Sequence, residues 1–323
     1  MRGKSLTIAD VDLRDILKID KETRSGQYIC TCPYCGKPAH FYINRKTQLW
    51  DCKKCGTAGN IYKLLIHLDK TYLIGDKSVE FTEKISSIRS LSNSEDSLED
   101  IKELPEKKMP FGYRVDLSNK YLKSRGVTRE IIKRFKLGVC NLSSKLKNYI
   151  LVPIYDGGKI RGYLGRYGAK RIPDGKLRYS NSVGTDFAQL LYGFDDIVKD
   201  KTSTVIITEG VFDKFSCDQH LGLYDIDDIK CVSTFGKKIS KYQIDKLLQK
   251  HVKNIIISWD FDALKEIKKF GNELKYYFNV YVCITRKEKD LGDCTKEELL
   301  EVFSNPIDID SFSLDIIGKV KKK

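Results

Sequence analysis

Between residues 205 and 290 the chain alternates strand-like and helix-like segments, and this constrains the fold more than any other feature. Apolar, β-branched runs stand at Val205 to Thr208, Cys231 to Thr234, Ile255 to Trp259 and Val280 to Thr285. Helical patterns separate them at Phe212 to Leu221, Ser240 to Gln249 and Leu264 to Tyr277. Continuous apolar strands joined by helices predict a parallel sheet covered on both faces. Such sheets place ligands beyond the carboxyl ends of their strands. Two of these ends are acidic: Val205-Ile206-Ile207 runs into Glu209 and Gly210, with Asp213 three residues on, and Ile255-Ile256-Ile257 runs into Asp260-Phe261-Asp262. One such ending reads as a charged surface turn. Two alike favour a carboxylate cluster that holds a hard cation.

A second module precedes the alternation. Cys32 and Cys35 form one CxxC pair and Cys52 and Cys55 another, with sixteen residues between them. Two pairs at this separation predict a closed, four-thiolate structural zinc site. Two disulfides are the competing reading, disfavoured in a reducing compartment. Short strands at His40 to Asn44 and Gln48 to Asp51, with a turn at Arg45-Lys46-Thr47, make the module a zinc ribbon. A helix is expected before it, over residues 6 to 19, and another after it at Asn60 to Leu68. Arg45, Lys46, Lys53 and Lys54 interleave with Phe41, Tyr42 and Trp50, a pattern suited to single-stranded nucleic acid. The plainer alternative is that Phe41 and Trp50 fill a minimal core, and for at least one of them this is the expectation.

The formal charge of +14 on 323 residues points to a polyanionic partner, nucleic acid before membrane. No apolar run reaches 18 residues and the N-terminus carries no signal peptide, so a cytoplasmic protein with reduced cysteines is expected, bacterial or in the host of a phage. Residues 75–110 are rich in Ser, Glu, Asp and Lys and read as a linker. From residue 111 a basic region follows, with two helices about a turn at Arg125-Gly126, a strand at Tyr149 to Tyr155 and a hairpin partner at Lys159 to Gly165. Arg161, Arg166, Lys170, Arg171, Lys176 and Arg178 lie there among glycines and tyrosines, a surface suited to a phosphate chain, although for each one alone a solvated cation is the favoured reading.

Three stretches, in order, resemble one family. Cys32-Pro-Tyr-Cys35 followed by WDCKKCGTAGNIYKLL resembles the zinc-binding domain of DnaG-type DNA primases. YLKSRGVTREIIKRFKLGVC, YLGRYG, RYSNS and LLYGFDDI resemble the N-terminal half of their RNA-polymerase domain, and EGVFD, WDFD and KDLGD resemble its Toprim catalytic half. The resemblance covers about residues 5 to 303. It implies that Glu209, Asp260 and Asp262 hold catalytic Mg²⁺ or Mn²⁺, that Asp290 adds charge, and that Asp213 has a structural place. It also implies that Arg166, Arg178 and Asn181 contact template, nucleotide or product. Phe261 stands where the family usually has glycine, and Leu291-Gly292 where it tends to have one proline.

The expected fold is α/β: a zinc-ribbon DNA-binding domain (1–74), the linker (75–110), a mixed α+β basic subdomain (111–200), a Toprim parallel-sheet subdomain (201–303) and a tail (304–323). The expected function is RNA primer synthesis on a single-stranded DNA template from NTPs, in a chain whose cofactors are structural Zn²⁺ and catalytic Mg²⁺ or Mn²⁺. Lys237 and Lys238 join Arg161 and Arg166 as candidate triphosphate or nucleic-acid ligands. No GxxxxGK[ST] loop is present, so the chain is not expected to hydrolyse NTPs as a motor; with the resemblance, a replicative helicase acting in trans is the expected partner. The rivals are a Toprim nuclease and a non-catalytic DNA-binding replication protein.

Overall fold

The computed structural model describes residues 11–23, 26–45, 48–70, 104–169, 171–285 and 289–312. Residues 1–10, most of the expected linker and the basic C-terminus lie outside these, as does Lys46.

The first sheet is an antiparallel meander in chain order: β1 (Ile19–Glu22), β2 (Gln27–Cys30), β3 (Phe41–Asn44), β4 (Trp50–Cys52) and β5 (Ala58–Gly59). The ribbon is thus larger than the cysteine spacing alone suggests, because two strands precede the first knuckle. The helix expected over residues 6 to 19 is, in its described part, the single turn α1 (Leu13–Ile16), capped by Asp12; at Leu17 the backbone is already extended. Period-2 burial holds in β2, β3 and β4, so Phe41, Ile43, Trp50 and Cys52 share one buried face. Helix α2 (Ile61–His67) follows.

The second sheet is antiparallel, in the order β6 (Tyr113–Val115), β7 (Gly138–Cys140), β8 (Tyr149–Asp156), β9 (Lys159–Tyr167). Helices α3 (Lys120–Ser124) and α4 (Arg129–Arg134) start on Asn119 and Thr128, whose side chains cap them. Gly157 and Gly158 turn β8 into β9 with φ of 63° and 73°, and the Asp195 carboxylate accepts from both of their N–H groups, at 2.8 and 2.9 Å. Such a turn favours glycine at both positions.

The third sheet is the predicted parallel one. It contains β10 (Thr204–Thr208), β11 (Ile229–Ser233), β12 (Asn254–Ser258), β13 (Asn279–Val282) and β14 (Ile307–Asp308), in the order β11-β10-β12-β13-β14. Helices α5 (Val211–Leu221), α6 (Lys241–Gln249) and α7 (Leu264–Leu274) connect the parallel strands, and α8 (Lys296–Ser304) precedes β14. β14 is antiparallel, pairing with Tyr281 and Val282, and Ile309 and Phe312 are buried behind it. The expected tail from residue 304 therefore begins as an edge of the sheet. Its hydrophobic residues are too few to stand out as a strand in sequence.

One hydrophobic cluster runs from Phe41, Trp50 and Leu65 of the ribbon to Val205, Ile257 and Phe278 of the parallel sheet and its helices. Two polar contacts reinforce this seam. The Asn60 N–H donates to the Tyr276 carbonyl at 2.9 Å. The ammonium of Lys63, 6% exposed, donates to the carbonyls of Ala58 (3.0 Å) and Lys275 (2.8 Å). Burial lowers the Lys63 pKa to about 8. Among the described residues no helix is long and apolar enough to cross a membrane.

Candidate metal centre and its cleft

Strand register builds the acidic cluster. β10 lies between β11 and β12, and Thr208 is level with Ser233 on one side and Ser258 on the other. Glu209 therefore emerges level with Trp259, one residue before Asp260. Carboxylate oxygens of Glu209, Asp260 and Asp262 all lie within 4.8 Å of one another. Asp290, from the segment after β13, lines the same cleft. Asp213 does not join the trio. Its carboxylate accepts from the Gly210 N–H (2.9 Å) and the Gly292 N–H (3.0 Å), fastening the start of α5 to the turn after Asp290.

Crowding shows in the proton affinities. Burial, then Asp260, raises Glu209 from 4.5 to about 7 against the opposing pull of Lys237. Burial, then Asp260, raises Asp213 from 3.8 to about 7 although two N–H groups favour its charge. Burial, then Asp290 and Asp262, raises Asp260 from 3.8 to about 6. Carboxylates held this close resist simultaneous ionisation unless a cation joins them. Oε2 of Glu209 is buried and makes no hydrogen bond. A hard divalent cation takes carboxylate oxygens about 3 Å apart around itself, so a donor set of this kind fits Mg²⁺ or Mn²⁺.

The cleft beside the acids has a volume of about 510 Å³. Arg125, Arg166, Tyr179 and Asn181 line the same cleft. Arg166 is held in place: its Nε donates to the Tyr121 hydroxyl at 2.9 Å, its NH1 donates to the Tyr179 hydroxyl, and its guanidinium lies 5.2 Å from the Phe212 ring centre. Lys237 reaches the acids directly, with Nζ 2.5 Å from Oδ2 of Asp262 and 3.9 Å from Oε2 of Glu209. Lys238 beside it and Arg178 are exposed and do not line the cleft.

Two candidate ligands take other places. Arg161 is 9% exposed, and its guanidinium donates to the carbonyls of Leu104 and Asp156. It stitches the segment before β6 to the hairpin and does not face the cleft. Trp50 is 2% exposed, stacks on Phe41 and Tyr34, and donates through Nε1 to the Asn60 carbonyl at 2.6 Å. It is core, with no free face for a base. Arg45 remains on the ribbon surface, paired with Glu22 at 2.5 Å and lying over the Tyr28 ring.

Sequence reasoning passed over Arg125, read only as part of a turn. Its NH1 pairs with Oδ1 of Asp293 at 2.9 Å, its guanidinium lies 5.7 Å from the Phe212 ring centre, and it lines the cleft. A basic residue closing a helical turn carries no local sign of a partner 168 positions away (293 − 125).

The four cysteines of the ribbon converge. Sγ of Cys32 is 3.9 Å from that of Cys55, and Sγ of Cys35 is 3.9 Å from that of Cys52. All four sulfurs lie within 4.8 Å of one another. A tetrahedral zinc with Zn–S bonds near 2.3 Å requires sulfurs about 3.8 Å apart, so the cluster fits zinc. Gly36 and Gly56, with φ of 69° and 74°, close the two knuckles by donating to the carbonyls of Cys32 and Cys52. Cys30 is fully buried on the core side of β2 and stands outside the quartet.

Comparison with known proteins adds relatives. No family model matches the chain. A DNA primase of Legionella pneumophila is 25% identical over 293 residues, covering 74% of this chain and 47% of the relative. A DNA primase of Clostridium acetobutylicum is 24% identical over 312 residues, covering 78% and 49%. The chain thus spans about half the length of the curated relatives it matches. Among solved structures, a DnaG catalytic core superposes with a TM-score of 0.50 at 16% identity, over 63% of this chain and 77% of that one, a likeness of fold.

Proposed function

We propose, from the premise that this chain belongs with the DnaG-type primases, that it synthesises short RNA primers on single-stranded DNA from NTPs. The observation that carries this reading is that one cleft is lined by Glu209 and Asp260, which with Asp262 form the acid trio, and by Arg125, Arg166 and Asn181. Primer synthesis joins a 3′ hydroxyl oxygen to the α-phosphorus of an incoming NTP as the bond to pyrophosphate breaks. Divalent ions bound by the trio would supply charge neutralisation at the attacking and leaving oxygens.

The chain's own groups have separable tasks. Glu209 and Asp260, at adjacent strand ends, set the position of that charge. Arg166 is fixed by two tyrosine hydroxyls before any ligand arrives, so little reorganisation accompanies its contact with phosphate oxygens. Asn181 offers an amide in the same cleft. Asp213 keeps the acid-bearing turns together through two N–H groups. The ribbon, with its zinc-capable quartet, gives the chain a second nucleic-acid surface at Arg45, Lys53 and Lys54, suited to reading the template start. A replicative helicase acting in trans belongs to the same proposal.

The test is incubation of the zinc-loaded chain with single-stranded DNA, labelled NTPs and Mg²⁺ or Mn²⁺. Short RNA products are expected from the wild type and none from Asp260→Asn, which retains its DNA affinity. Cleavage of labelled DNA without NTP incorporation would replace the proposal with a nuclease. Neither product in the presence of DNA binding would leave a binding protein.

A further inference from the structure

Among the described residues, Lys237 is the cation paired with the acid trio, and its attachment is unlike that of the arginines that line the cleft. Arg166 and Arg125 are each fixed by partners outside the trio. Lys237 has its ammonium on Asp262 and near Glu209, two of the three carboxylates that a divalent ion would share. Its backbone, in contrast, is anchored. The loop after β11 is tied to the strand end that carries Glu209: the Thr234 N–H donates to the Thr208 carbonyl at 3.1 Å, and the Ser233 hydroxyl donates to the Glu209 carbonyl at 3.0 Å. Thr234 closes the loop by donating to the Gly236 carbonyl at 2.7 Å. Phe235, at φ 60°, and Gly236, at φ 148°, hold left-handed conformations. For phenylalanine this is an uncommon state that surrounding contacts must impose. The result is a fixed Cα beside the acids with a long, jointed stem above it.

We propose that Lys237 is an exchangeable counter-ion: it neutralises Glu209 and Asp262 while they hold no divalent ion, is displaced when one binds, and then turns to the triphosphate of the incoming nucleotide. This rests on the reading of the trio as a divalent-ion site. An ammonium at 2.5 Å from an Asp262 oxygen would stand within about 4 Å of a divalent ion bound at about 2.1 Å by the same carboxylate. Like charges at such separation also repel strongly. Release of the lysine is cheap, because the Asp262 side chain is 73% exposed and exposed ion pairs contribute little. Glu209, with its buried and unbonded Oε2, is the oxygen that gains most from the replacement. The displaced ammonium keeps its anchor at the cleft, where Gly236 forms part of the lining and no neighbouring atom within 4 Å would crowd even a Cβ there.

The test compares wild type, Lys237→Met and Lys237→Gln as zinc-loaded full chains, titrated with Mn²⁺ alone and followed by the electron paramagnetic resonance of free Mn²⁺. Glu209→Gln identifies the site by removing its ion. Both lysine variants are expected to bind that Mn²⁺ about two- to fivefold more tightly than wild type, from loss of one weakly held competing positive charge. At saturating Mn²⁺ both should raise the KM for NTP more than they lower kcat. Unchanged or weaker Mn²⁺ binding in both variants overturns the exchange while leaving the metal site standing. Mn²⁺ binding that Glu209→Gln does not alter overturns the exchange and the metal site together. Tighter Mn²⁺ binding with an unchanged KM overturns the hand-over to the nucleotide.

Discussion

Replacing Glu209 by glutamine should stabilise the protein, and only where the pH is high. The glutamate carboxyl is raised from 4.5 to about 7, so the folded state holds its proton more tightly than the unfolded chain does. A raised carboxyl costs nothing below its unfolded value and costs progressively more as pH climbs through the folded value. The window therefore opens near pH 4.5 and is complete just above pH 7. At 1.36 kcal/mol per tenfold in proton affinity, the ceiling is about 3 kcal/mol. Solvent reaches part of this side chain, which is 24% exposed, so screening brings the expectation to about 1–2 kcal/mol. For a chain of this size that is a rise in melting temperature of about 2–8 °C. Glutamine, neutral throughout, escapes the cost. The assay is paired thermal melts of wild type and Glu209→Gln from pH 5.5 to 8.5, with Mg²⁺ and Mn²⁺ removed by dialysis and zinc content checked. The variant should be the more stable at pH 8, and the gap should narrow to about half or less by pH 5.5. Mn²⁺ at pH 8 should raise the wild type and leave the variant in place. A variant no more stable at pH 8, or a gap independent of pH, would refute the electrostatic account of the cluster.

Three further outcomes follow from contacts elsewhere. Trp50→Ala should destabilise the ribbon by about 3–5 kcal/mol, since it empties a stacked, buried site; melts and zinc retention measure it. Arg125→Ala should lower primer synthesis by about 10–100-fold, as loss of a partner that orients an active-site loop commonly does. Steady-state rates check this, with Arg125→Lys expected to recover part of the loss. Cys52→Ala should abolish zinc binding and preferred-site initiation, while extension of a supplied RNA primer survives; metal analysis and a primer-extension assay separate the two.

Much of this was legible in one dimension because spacing encodes it. The cysteine pairs declare the knuckles, and two β-branched runs ending in Glu209 and Asp260 declare adjacent parallel strands. Trp50 shows where local pattern misleads. Cations beside aromatics suggest stacking on bases, yet Trp50 lies two residues before Cys52, and period-2 alternation puts both on the buried side of β4. Arg161 sits among cations that look alike in sequence, and only the chain's path from Leu104 to β9 makes it a brace. The pairing of Arg125 with Asp293 was not legible at all, since it depends on how the helical hairpin meets the parallel sheet. The edge strand β14 owes its pairing to an exposed edge of β13, not to its own two residues.

The seam between ribbon and parallel sheet gives the zinc quartet a wider reach than its own module. Phe41, Trp50 and Leu65 share a continuous apolar contact with the sheet and its helices, and Lys63 and Asn60 close the end of α7. A ribbon of this size has little to hold it together once its thiolates are free. Unfolding it would uncover apolar surface on a sheet that is otherwise intact, and such a patch is prone to self-association. Chelation should therefore register first as turbidity or light scattering, ahead of any loss of the parallel sheet, and the metal load of a preparation would set its colloidal lifetime.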